Sequence, residues 1–588
     1  MRSFFKFFFA SLLALVIFTV LGFIILMSVV GGLASSLSTE KVTVSAKSVL
    51  YIDLSKSFKD RKSDNTLEQI LQGDEVVTPS LYDAIRLIEH AKTDSSIRGI
   101  YLKCNGNGNG FGTSEELRSA LVNFKESNKF IIAYGDYIDQ KAYYVANAAD
   151  KIYCNPKGLL EWMGYASQLM FLKNTLKKLE IEPQIFYAGK FKSATEPLRE
   201  EKMTDANRLQ TMVWLGDLYT QLLLTTSATR GIDTATLHEY ANKNLLQTAW
   251  DAAKYNLIDG IKYDDEVKSE IRERLDIEKD EKIKFVQIGN YAKAVSLSSF
   301  QKDRIAVVYA EGDIIYGKAE MGQVSSDEYR ALFTKLRTDK NIKGVVLRVN
   351  SPGGSSLASE IIWREAELLK KEGKPLVVSM GDLAASGGYY ISAPADSIFT
   401  QGNTLTGSIG VFGILPNMEG LFKNKLGITF DEVKTAEHAT FGSVSRPLTE
   451  VEKKFMQATI DSIYHDFKTR VSEGRKKDMD YVDSIAQGRV WTGRRAVEIG
   501  LADKLGGLSD AIACAARMAD IEKYSIREYP EPLSLLDMLK SGYSKNIKTQ
   551  SIKEELGETG FEVYNQLKRI RQATQGVQAR LPFDITVN

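Results

Sequence analysis

The chain has 588 residues, which is too long for a single hydrophobic core, so we expect two or more domains. Its 76 basic and 75 acidic side chains nearly cancel, and this balance argues against a nucleic-acid partner. Cys104, Cys154 and Cys514 stand far apart in apolar or turn contexts, so we predict buried free thiols. We predict neither a cofactor nor a metal site, and the four histidines form no HxxxH or HxH motif.

The first long apolar stretch covers residues 7–30 and carries no charge. As a helix it would be about 36 Å long, enough to cross a hydrocarbon core of roughly 30 Å. Arg2 and Lys6 precede it, which predicts a cytoplasmic N-terminus and puts the chain after Ser35 beyond the lipid bilayer. A cleaved signal peptide is the alternative, but its apolar core would be only about 7–15 residues long. An uncleaved membrane anchor is therefore favoured.

Short apolar runs beyond the anchor predict strands, and apolar residues at helical spacing predict helices. We expect strands at Val49–Leu54 and Arg98–Leu102, with a helix between them at Leu81–Ala91. The run 105–110 alternates asparagine with glycine and is interpreted as a flexible turn. Residues 201–300 are expected to be helical.

An internal repeat decides the predicted architecture. Gly135-Asp136 recurs as Gly381-Asp382, and Tyr143-Tyr144 recurs as Tyr389-Tyr390, both at a shift of 246 residues. The chain is therefore predicted to have an α/β fold with two copies of one unit.

These signals divide the whole chain into predicted segments. They are an N-terminus with the membrane anchor at 1–34, a linker at 35–48, a first repeat at 49–300, a second repeat at 301–525 and a C-terminal extension at 526–588. Within the extension we expect an amphipathic helix near 553–573 and a short apolar tail from residue 579 that docks at a place the sequence does not define.

A candidate nucleophile stands at a predicted strand-to-helix break. The apolar run Pro375–Met380 predicts a buried strand, and the Ala- and Tyr-rich sequence after Ser386 predicts a helix. A serine at such a break can expose its hydroxyl, and the Gly387 N–H behind it can donate to an oxyanion. A plain helix cap is the alternative interpretation, since serine and glycine are common there.

A second predicted strand, Val345–Val349, ends in the sequence Ser-Pro-Gly-Gly at 351–354. Adjacent glycines let the backbone approach a ligand and direct N–H groups towards it, although they also occur in plain turns. In the first repeat the asparagine–glycine run stands in the place of this loop, and Gln140 stands in the place of Ser386.

These two motifs, together with Thr406–Gly410 and Gln487–Gly493, resemble the signal peptide peptidase A family in its long, two-repeat form, which is peptidase family S49 of the Clp protease and crotonase superfamily. The resemblance covers nearly the whole chain. It implies a Clp protease/crotonase-like spiral in each repeat and a serine endopeptidase that degrades cleaved signal peptides. It also implies a homotetramer in the cell inner membrane, with a single transmembrane pass and the catalytic portion in the periplasm.

The resemblance also assigns roles to residues. It implies that Ser386 is the nucleophile and that Lys192, in the motif Phe191–Pro197, is the base supplied by the first repeat. The oxyanion hole would be formed by Gly387 with Gly353 and Gly354, and Ser408 would orient the lysine. By sequence alone Lys190 is a close rival of Lys192, because both would share one face of an extended segment.

Two other functions remain open at this level. A crotonase-type enzyme acting on acyl-CoA would use the same fold and oxyanion hole, since fold alone does not define function. A non-catalytic membrane scaffold with a degenerate site is the other alternative. The membrane anchor argues against the first of these, and the retained serine, lysine and glycine loops argue against the second.

Overall fold

The computed structural model describes residues 2–37, 43–61, 78–297, 300–318, 322–531 and 576–581. The first helix, Arg2–Leu37, contains the segment Lys6–Ile24, which is long and apolar enough to cross a membrane and has none of its surface buried against the protein. The segment Lys6–Ile24 covers most of residues 7–30, the stretch predicted as the membrane anchor. The amphipathic helix predicted near 553–573 lies outside the described residues.

The first half of the chain is built on a parallel sheet. The strands of this half are β1 (Ser48–Asp53), β2 (Ile97–Lys103), β3 (Phe130–Ile138), β4 (Lys151–Leu160), β5 (Glu182–Ala188), β6 (Gly260–Ile261) and β7 (Phe285–Gln287). The sheet has the order β6-β4-β3-β2-β1-β7, and β5 lies outside it. The helices of this half are Leu81–Thr93, Phe111–Lys125, Gln140–Ala146, Lys173–Lys178, Glu196–Arg199, Asp205–Arg230, Thr234–Asn242, Ala249–Lys254, Asp264–Leu275 and Ile288–Ala294, with a short 3₁₀ turn at Ser193–Thr195.

The second half builds a similar sheet. Its strands are β8 (Arg304–Glu311), β9 (Asp313–Ile315), β10 (Gln323–Ser325), β11 (Ile342–Ser351), β12 (Gly353–Ser355), β13 (Leu376–Ala385), β14 (Ser397–Thr400), β15 (Leu405–Gly407), β16 (Val411–Asn417), β17 (Val490–Thr492), β18 (Lys504–Leu505) and β19 (Ser525–Tyr529). The main order of this sheet is β17-β15-β13-β11-β8-β19. Its helices are Ser326–Thr338, Ser356–Lys371, Gly387–Ser392, Glu450–Arg475, Met479–Ile485, Gly493–Glu498 and Leu508–Met518, with a π turn at Leu421–Lys425. The α/β class with two repeated units is therefore confirmed.

A third sheet joins the two halves. It includes the C-terminal strand β20 (Gln578–Arg580), and its order is β10-β9-β12-β20-β16-β5. Strand β5 of the first half pairs antiparallel with β16 of the second along its whole length, from Glu182 opposite Asn417 to Ala188 opposite Val411. The first half thus carries the chain segment after Ala188 into the second half.

A buried ion cluster also crosses the seam between the halves. Arg348 on β11 is fully buried, and its guanidinium donates to Asp60 Oδ1 at 2.8 Å and to Glu116 Oε1 at 2.6 Å. It also donates to Ser379 Oγ at 2.9 Å. Burying a charge is costly unless such partners surround it, and in this arrangement of the two halves the guanidinium has both carboxylates as partners.

The predicted elements are present with longer bounds. The strand predicted at Pro375–Met380 runs on as β13 to Ala385, and the strand predicted at Val345–Val349 runs from Ile342 to Ser351. The three cysteines are free and buried, as predicted. The segment 201–300 is mainly helical but also contributes β6 and β7 to the first sheet.

Two expectations about segments need adjustment. The asparagine–glycine run forms a turn, but Asn107 and Asn109 are buried and hydrogen-bonded, so the interpretation as a flexible turn is wrong. The boundary predicted between 525 and 526 falls inside β19, which pairs in parallel with β8. We propose that the C-terminal extension starts after Tyr529.

Candidate active site

Two neighbouring strands end at the same edge of the second sheet and bring two serines together. Strands β13 and β15 pair in parallel, with Ala385 opposite Gly407, and the next residue of each chain segment is a serine. Ser386 N–H donates to Gly407 O at 2.8 Å. Ser386 and Ser408 have positive φ values of 54° and 50°, so each strand ends in a sharp, strained turn of the kind found at functional sites.

Lys192 reaches this edge because β5 is anchored beside β16. Ala188 is opposite Val411, and the chain turns after Ala188 and enters the site. Lys192 Nζ lies 2.9 Å from Ser386 Oγ, 3.0 Å from Ser408 Oγ and 3.2 Å from Ser408 O. The three side chains come from distant parts of the chain and meet within hydrogen-bond distance.

Burial controls the charge of the lysine. Lys192 is only 1% exposed, and desolvation holds its pKa well below the usual value of a lysine. The three oxygen atoms that are hydrogen-bonded to Nζ all belong to uncharged serines. The surroundings therefore favour a neutral amine, which is the form that can accept a proton.

The structure separates Lys192 from its rival. Residues 189–191 form a turn, so Lys190 and Lys192 are not on one face of an extended strand. Lys190 is exposed, and its Nζ lies over the ring of Phe191 at 5.9 Å. The assumption that made the two lysines equivalent is therefore wrong.

Other residues hold the lysine segment in place, and sequence reasoning gave them no role. A Cβ on Gly488 would lie 2.7 Å from Lys192 Cβ, so the backbones of the two halves touch here and only glycine fits. Phe191 N–H donates to Gln487 O at 2.7 Å. Gln210 Nε2 donates to Phe191 O at 2.9 Å, and its Oε1 accepts from Val490 N–H at 3.2 Å. A polar residue on the buried stripe of helix Asp205–Arg230 was the available signal.

Of the three glycines predicted for the oxyanion hole, Gly353 and Gly387 lie against each other, and Gly354 follows Gly353 on β12. A Cβ on Gly353 would lie 2.6 Å from Gly387 N, and one on Gly387 would lie 3.2 Å from Gly353 Cα. Gly353 has φ +97°, a conformation that favours glycine. Its N–H donates to Ser351 Oγ at 3.2 Å. Strand β20 pairs antiparallel with β12 here, and a Cβ on Gly353 would lie 2.1 Å from Ala579 O.

This edge of the sheet therefore combines a serine hydroxyl, a buried amine and glycine backbone in close contact. A hydroxyl activated by a neutral amine can attack a carbonyl carbon, and backbone N–H groups can stabilise the resulting oxyanion. The arrangement is that of a serine hydrolase.

Comparison with known proteins identifies the family. The profile described as peptidase family S49 matches residues 123–278 and 368–522. A relative named Protease 4 from Salmonella typhi is 34% identical over 518 residues, covering 86% of this chain and 83% of the relative. A Protease 4 from Haemophilus influenzae is 32% identical, covering 91% of this chain and 90% of the relative.

Among solved structures, a mutant of ClpP1 from Listeria monocytogenes matches with 14% identity and a TM-score of 0.24, covering 35% of this chain and 94% of that one. This score is too low to define a common fold. The two segments matched by the family profile fall in the two halves of the protein, and the relatives match along most of their length. The chain belongs to peptidase family S49 and is a serine protease.

Proposed function

We propose that the protein is a membrane-anchored serine endopeptidase in which Ser386 is the nucleophile and Lys192 is the general base. The observation that carries the proposal is the 2.9 Å contact between Lys192 Nζ and Ser386 Oγ in the protein interior. Because burial lowers the pKa of Lys192, the neutral amine is present at a lower pH than in an exposed lysine. Membership of a protease family argues against the scaffold and the acyl-CoA enzyme.

The reaction would follow the scheme of a two-residue nucleophile. Ser386 Oγ attacks the peptide carbonyl carbon while its proton moves to Lys192 Nζ, and the lysine then protonates the leaving amine. Water subsequently hydrolyses the acyl-enzyme by the same route. Ser408, whose oxygen atoms lie 3.0 and 3.2 Å from Nζ, would keep the amine directed at Ser386.

The developing oxyanion would be held by backbone N–H groups of Gly387 and Gly354, since the N–H of Gly353 is engaged by Ser351. Gly353 would contribute by lacking a side chain, so that the substrate carbonyl can approach. Removing one such donor typically raises the barrier by about 2.7–4 kcal/mol.

The proposed substrates are peptides in extended conformation, and cleaved signal peptides in particular. Motif resemblance to the signal peptide peptidase A family supports this choice. Residues 7–30 would anchor the protein in the inner membrane and leave the catalytic portion in the periplasm, where released signal peptides remain in the adjacent bilayer. We also propose a homotetramer, on the basis of the same resemblance.

A fluorophosphonate probe tests the nucleophile directly, because it reacts with activated serines. We expect the full-length protein in detergent to form an adduct at Ser386, found by peptide mass spectrometry, and to hydrolyse a fluorogenic peptide. Ser386→Ala should lose both properties. An adduct at another serine, or hydrolysis by Ser386→Ala within about tenfold of the wild type, would contradict the assignment.

A further inference from the structure

Gln210 is a buried polar residue next to the lysine segment. It lies on the helix Asp205–Arg230 and is 1% exposed. Gln210 Nε2 donates to Phe191 O at 2.9 Å and to Ser193 Oγ at 2.9 Å. These two acceptors stand immediately before and after Lys192 in the chain. One side-chain amide therefore holds the lysine segment on both sides of the proposed base.

The other end of the same amide contacts the second half. Its Oε1 accepts from Val490 N–H at 3.2 Å. Val490 is on β17, opposite Gly407 of β15, and the carbonyl oxygen of Gly407 accepts from Ser386 N–H at 2.8 Å. The carbonyl oxygen of Arg489, the preceding residue, accepts from Ser408 N–H at 2.7 Å. The amide thus connects the lysine segment to the strand that contacts both serine turns.

A chain of hydrogen bonds fixes which end of the amide faces the lysine segment. The carboxylate of Glu196 accepts from Asn207 Nδ2 at 2.8 Å, and it also accepts from the N–H and the hydroxyl of Thr204. Because an ionised carboxylate can only accept, Asn207 turns its nitrogen to Glu196 and its oxygen to Gln210. Asn207 Oδ1 accepts from Gln210 Nε2 at 3.2 Å. The nitrogen of Gln210 therefore faces the lysine segment, and its oxygen is left for Val490 N–H.

The chemistry of these contacts selects a glutamine. The position needs a donor at one end, for Phe191 O and Ser193 Oγ, and an acceptor at the other, for Val490 N–H. A carboxylate offers no donor and an apolar side chain offers neither group, so both would leave buried polar groups unpaired. A neutral amide also adds no charge beside the lysine, whose pKa is lowered by burial.

Two charged groups adjoin this network. The carboxylate of Glu196 is bonded to Thr204 and Asn207, and the guanidinium of Arg489 lies 5.0 Å from the ring of Phe191 and 4.3 Å from that of Trp491. Within the described parts of the chain, the hydrogen bonds of Lys192 Nζ go to serine oxygens. A new charge at position 210 would therefore change the surroundings of the amine.

We propose that Gln210 is a positioning residue of the active site, which sets the separation of Lys192 Nζ and Ser386 Oγ by bonding the lysine segment to β17. This inference rests on the proposed function. During the attack, the amine has to stay within hydrogen-bond distance of the hydroxyl that it deprotonates. A segment held at residues 191 and 193 keeps the amine there, whereas a released segment lets it move towards water. A misplacement of about 1 Å can cost about 10²-fold in rate.

The test compares Gln210→Met with the wild type, both as full-length protein in detergent. Methionine has a similar length but supplies none of the hydrogen bonds. We expect kcat for a fluorogenic peptide to fall roughly 10- to 100-fold. KM should change less than about threefold, because peptide binding does not require the proton acceptor. The pH midpoint of kcat/KM should rise, since an amine that reaches water has a higher pKa and is neutral only at higher pH.

Gln210→Glu separates positioning from a simple loss of folding. It keeps the size and the acceptor for Val490 N–H, but its carboxylate favours the charged form of the lysine. The pH midpoint should therefore rise further than in Gln210→Met. Raising the pH should recover part of the activity in both variants, which an unfolded protein cannot do.

Gln221→Met is the matched control. Gln221 is on the same helix and also contacts the second half, where its Oε1 accepts from Arg494 Nη2 at 3.0 Å, outside the lysine segment. Its replacement should leave the pH midpoint in place and change kcat less than about twofold.

The outcomes separate this inference from the proposed function. A kcat of Gln210→Met within about threefold of the wild type, a loss without a shift of the pH midpoint, or an equal loss in Gln221→Met would overturn the positioning role and leave the proposed function standing. A wild type that neither reacts with a fluorophosphonate nor hydrolyses the peptide would overturn both.

Discussion

Both halves contain a strand-to-helix break, but the residue at the break and its contacts differ between them. In the second half β13 ends in Ser386, whose backbone is strained and whose hydroxyl meets Lys192. In the first half β3 leads to Gln140. The amide oxygen of Gln140 accepts from the N–H groups of Met163 and Gly164, and its nitrogen donates to Gly164 O. At the break in the second half a serine hydroxyl contacts a lysine amine. At the break in the first half the side chain is hydrogen-bonded to nearby backbone groups.

The neighbouring loops differ in the same way. In the second half, Gly353 and Gly354 leave space for a peptide strand. In the first half Asn107 donates to Ser114 Oγ, and Asn109 donates to the carbonyl oxygens of Leu54 and Lys56. The side-chain amides of Asn107 and Asn109 are thus hydrogen-bonded within the first half. The first half supplies β5 and Lys192 to the edge of the second sheet, so the proposed nucleophile and the proposed base come from different halves.

The most damaging change should be the loss of the amine that crosses between the halves. Lys192→Met keeps the apolar stem but removes the proton acceptor, so peptide hydrolysis should fall by roughly 10³-fold or more, and Ser386→Ala should be no less damaging. The double variant should be scarcely worse than either single one, because residues that act as a unit are non-additive. The measurement is kcat/KM for a fluorogenic peptide.

Lys190→Met is the matched control for this experiment. The lysine two residues away has the same side chain but is exposed and lies outside the site, so its replacement should change kcat/KM less than about threefold. Equal losses at both lysines, or a multiplicative loss in the Ser386→Ala, Lys192→Met variant, would contradict a dyad shared between the halves.

The next largest effect should come from Gly387, which lies against Gly353 beside Ser386. In Gly387→Ala the new methyl group would lie 3.0 Å from the position of Ala579 O and 2.7 Å from Ser359 Oγ. This methyl group should obstruct the substrate carbonyl that we propose binds here. The kcat should fall on the order of 10²-fold, which is comparable to losing one oxyanion donor. Circular dichroism should show an unchanged fold. A kcat within about twofold of the wild type would argue that the carbonyl binds elsewhere.

Sequence reasoning worked where a short motif determines local structure. Strand ends, the internal repeat and the serine at the break are encoded by a few consecutive residues, and they were found within a few positions of their true bounds. Sequence reasoning failed where the structure depends on pairing between strands that are far apart in the chain. Nothing near Lys192 predicts that β5 pairs with β16, and nothing near Ala579 predicts the gap that β20 fills. Such contacts depend on shapes that only the assembled halves create.

The charge of Lys192 provides a pH test of the same site. In the proposed mechanism the neutral amine is the active form. Because burial lowers the pKa of Lys192, activity should be present above that pKa and should be lost as the pH falls through it. In this range log kcat/KM should rise with pH at a slope of about one. The midpoint should lie well below the usual pKa of lysine. A profile that rises only near the pKa of an exposed lysine would contradict a buried base.

Replacing Ser408 should have a smaller effect, because its proposed role is to position the lysine without reacting. Ser408→Ala removes an oxygen that lies 3.0 Å from Nζ but leaves the backbone carbonyl at 3.2 Å. We expect a loss of about tenfold in kcat and a shifted pH midpoint. Ser408→Thr, which restores a hydroxyl, should recover part of the activity. A loss without any shift in the pH profile would indicate a structural role only.

The smallest effect on catalysis should come from replacing Gln140 at the strand-to-helix break of the first half. Gln140→Ala removes three hydrogen bonds to residues 163 and 164, so the free energy of unfolding should fall by about 1–3 kcal/mol, measured by denaturant titration. The kcat of the protein that remains folded should change less than about twofold. Gln140 follows β3 of the first sheet, whereas the proposed active site lies at the edge of the second sheet. Gln140→Ser in a Ser386→Ala background should form no fluorophosphonate adduct, since the first half has the asparagine–glycine run in place of the Ser-Pro-Gly-Gly loop. An adduct there would mean that the first half still holds a working site.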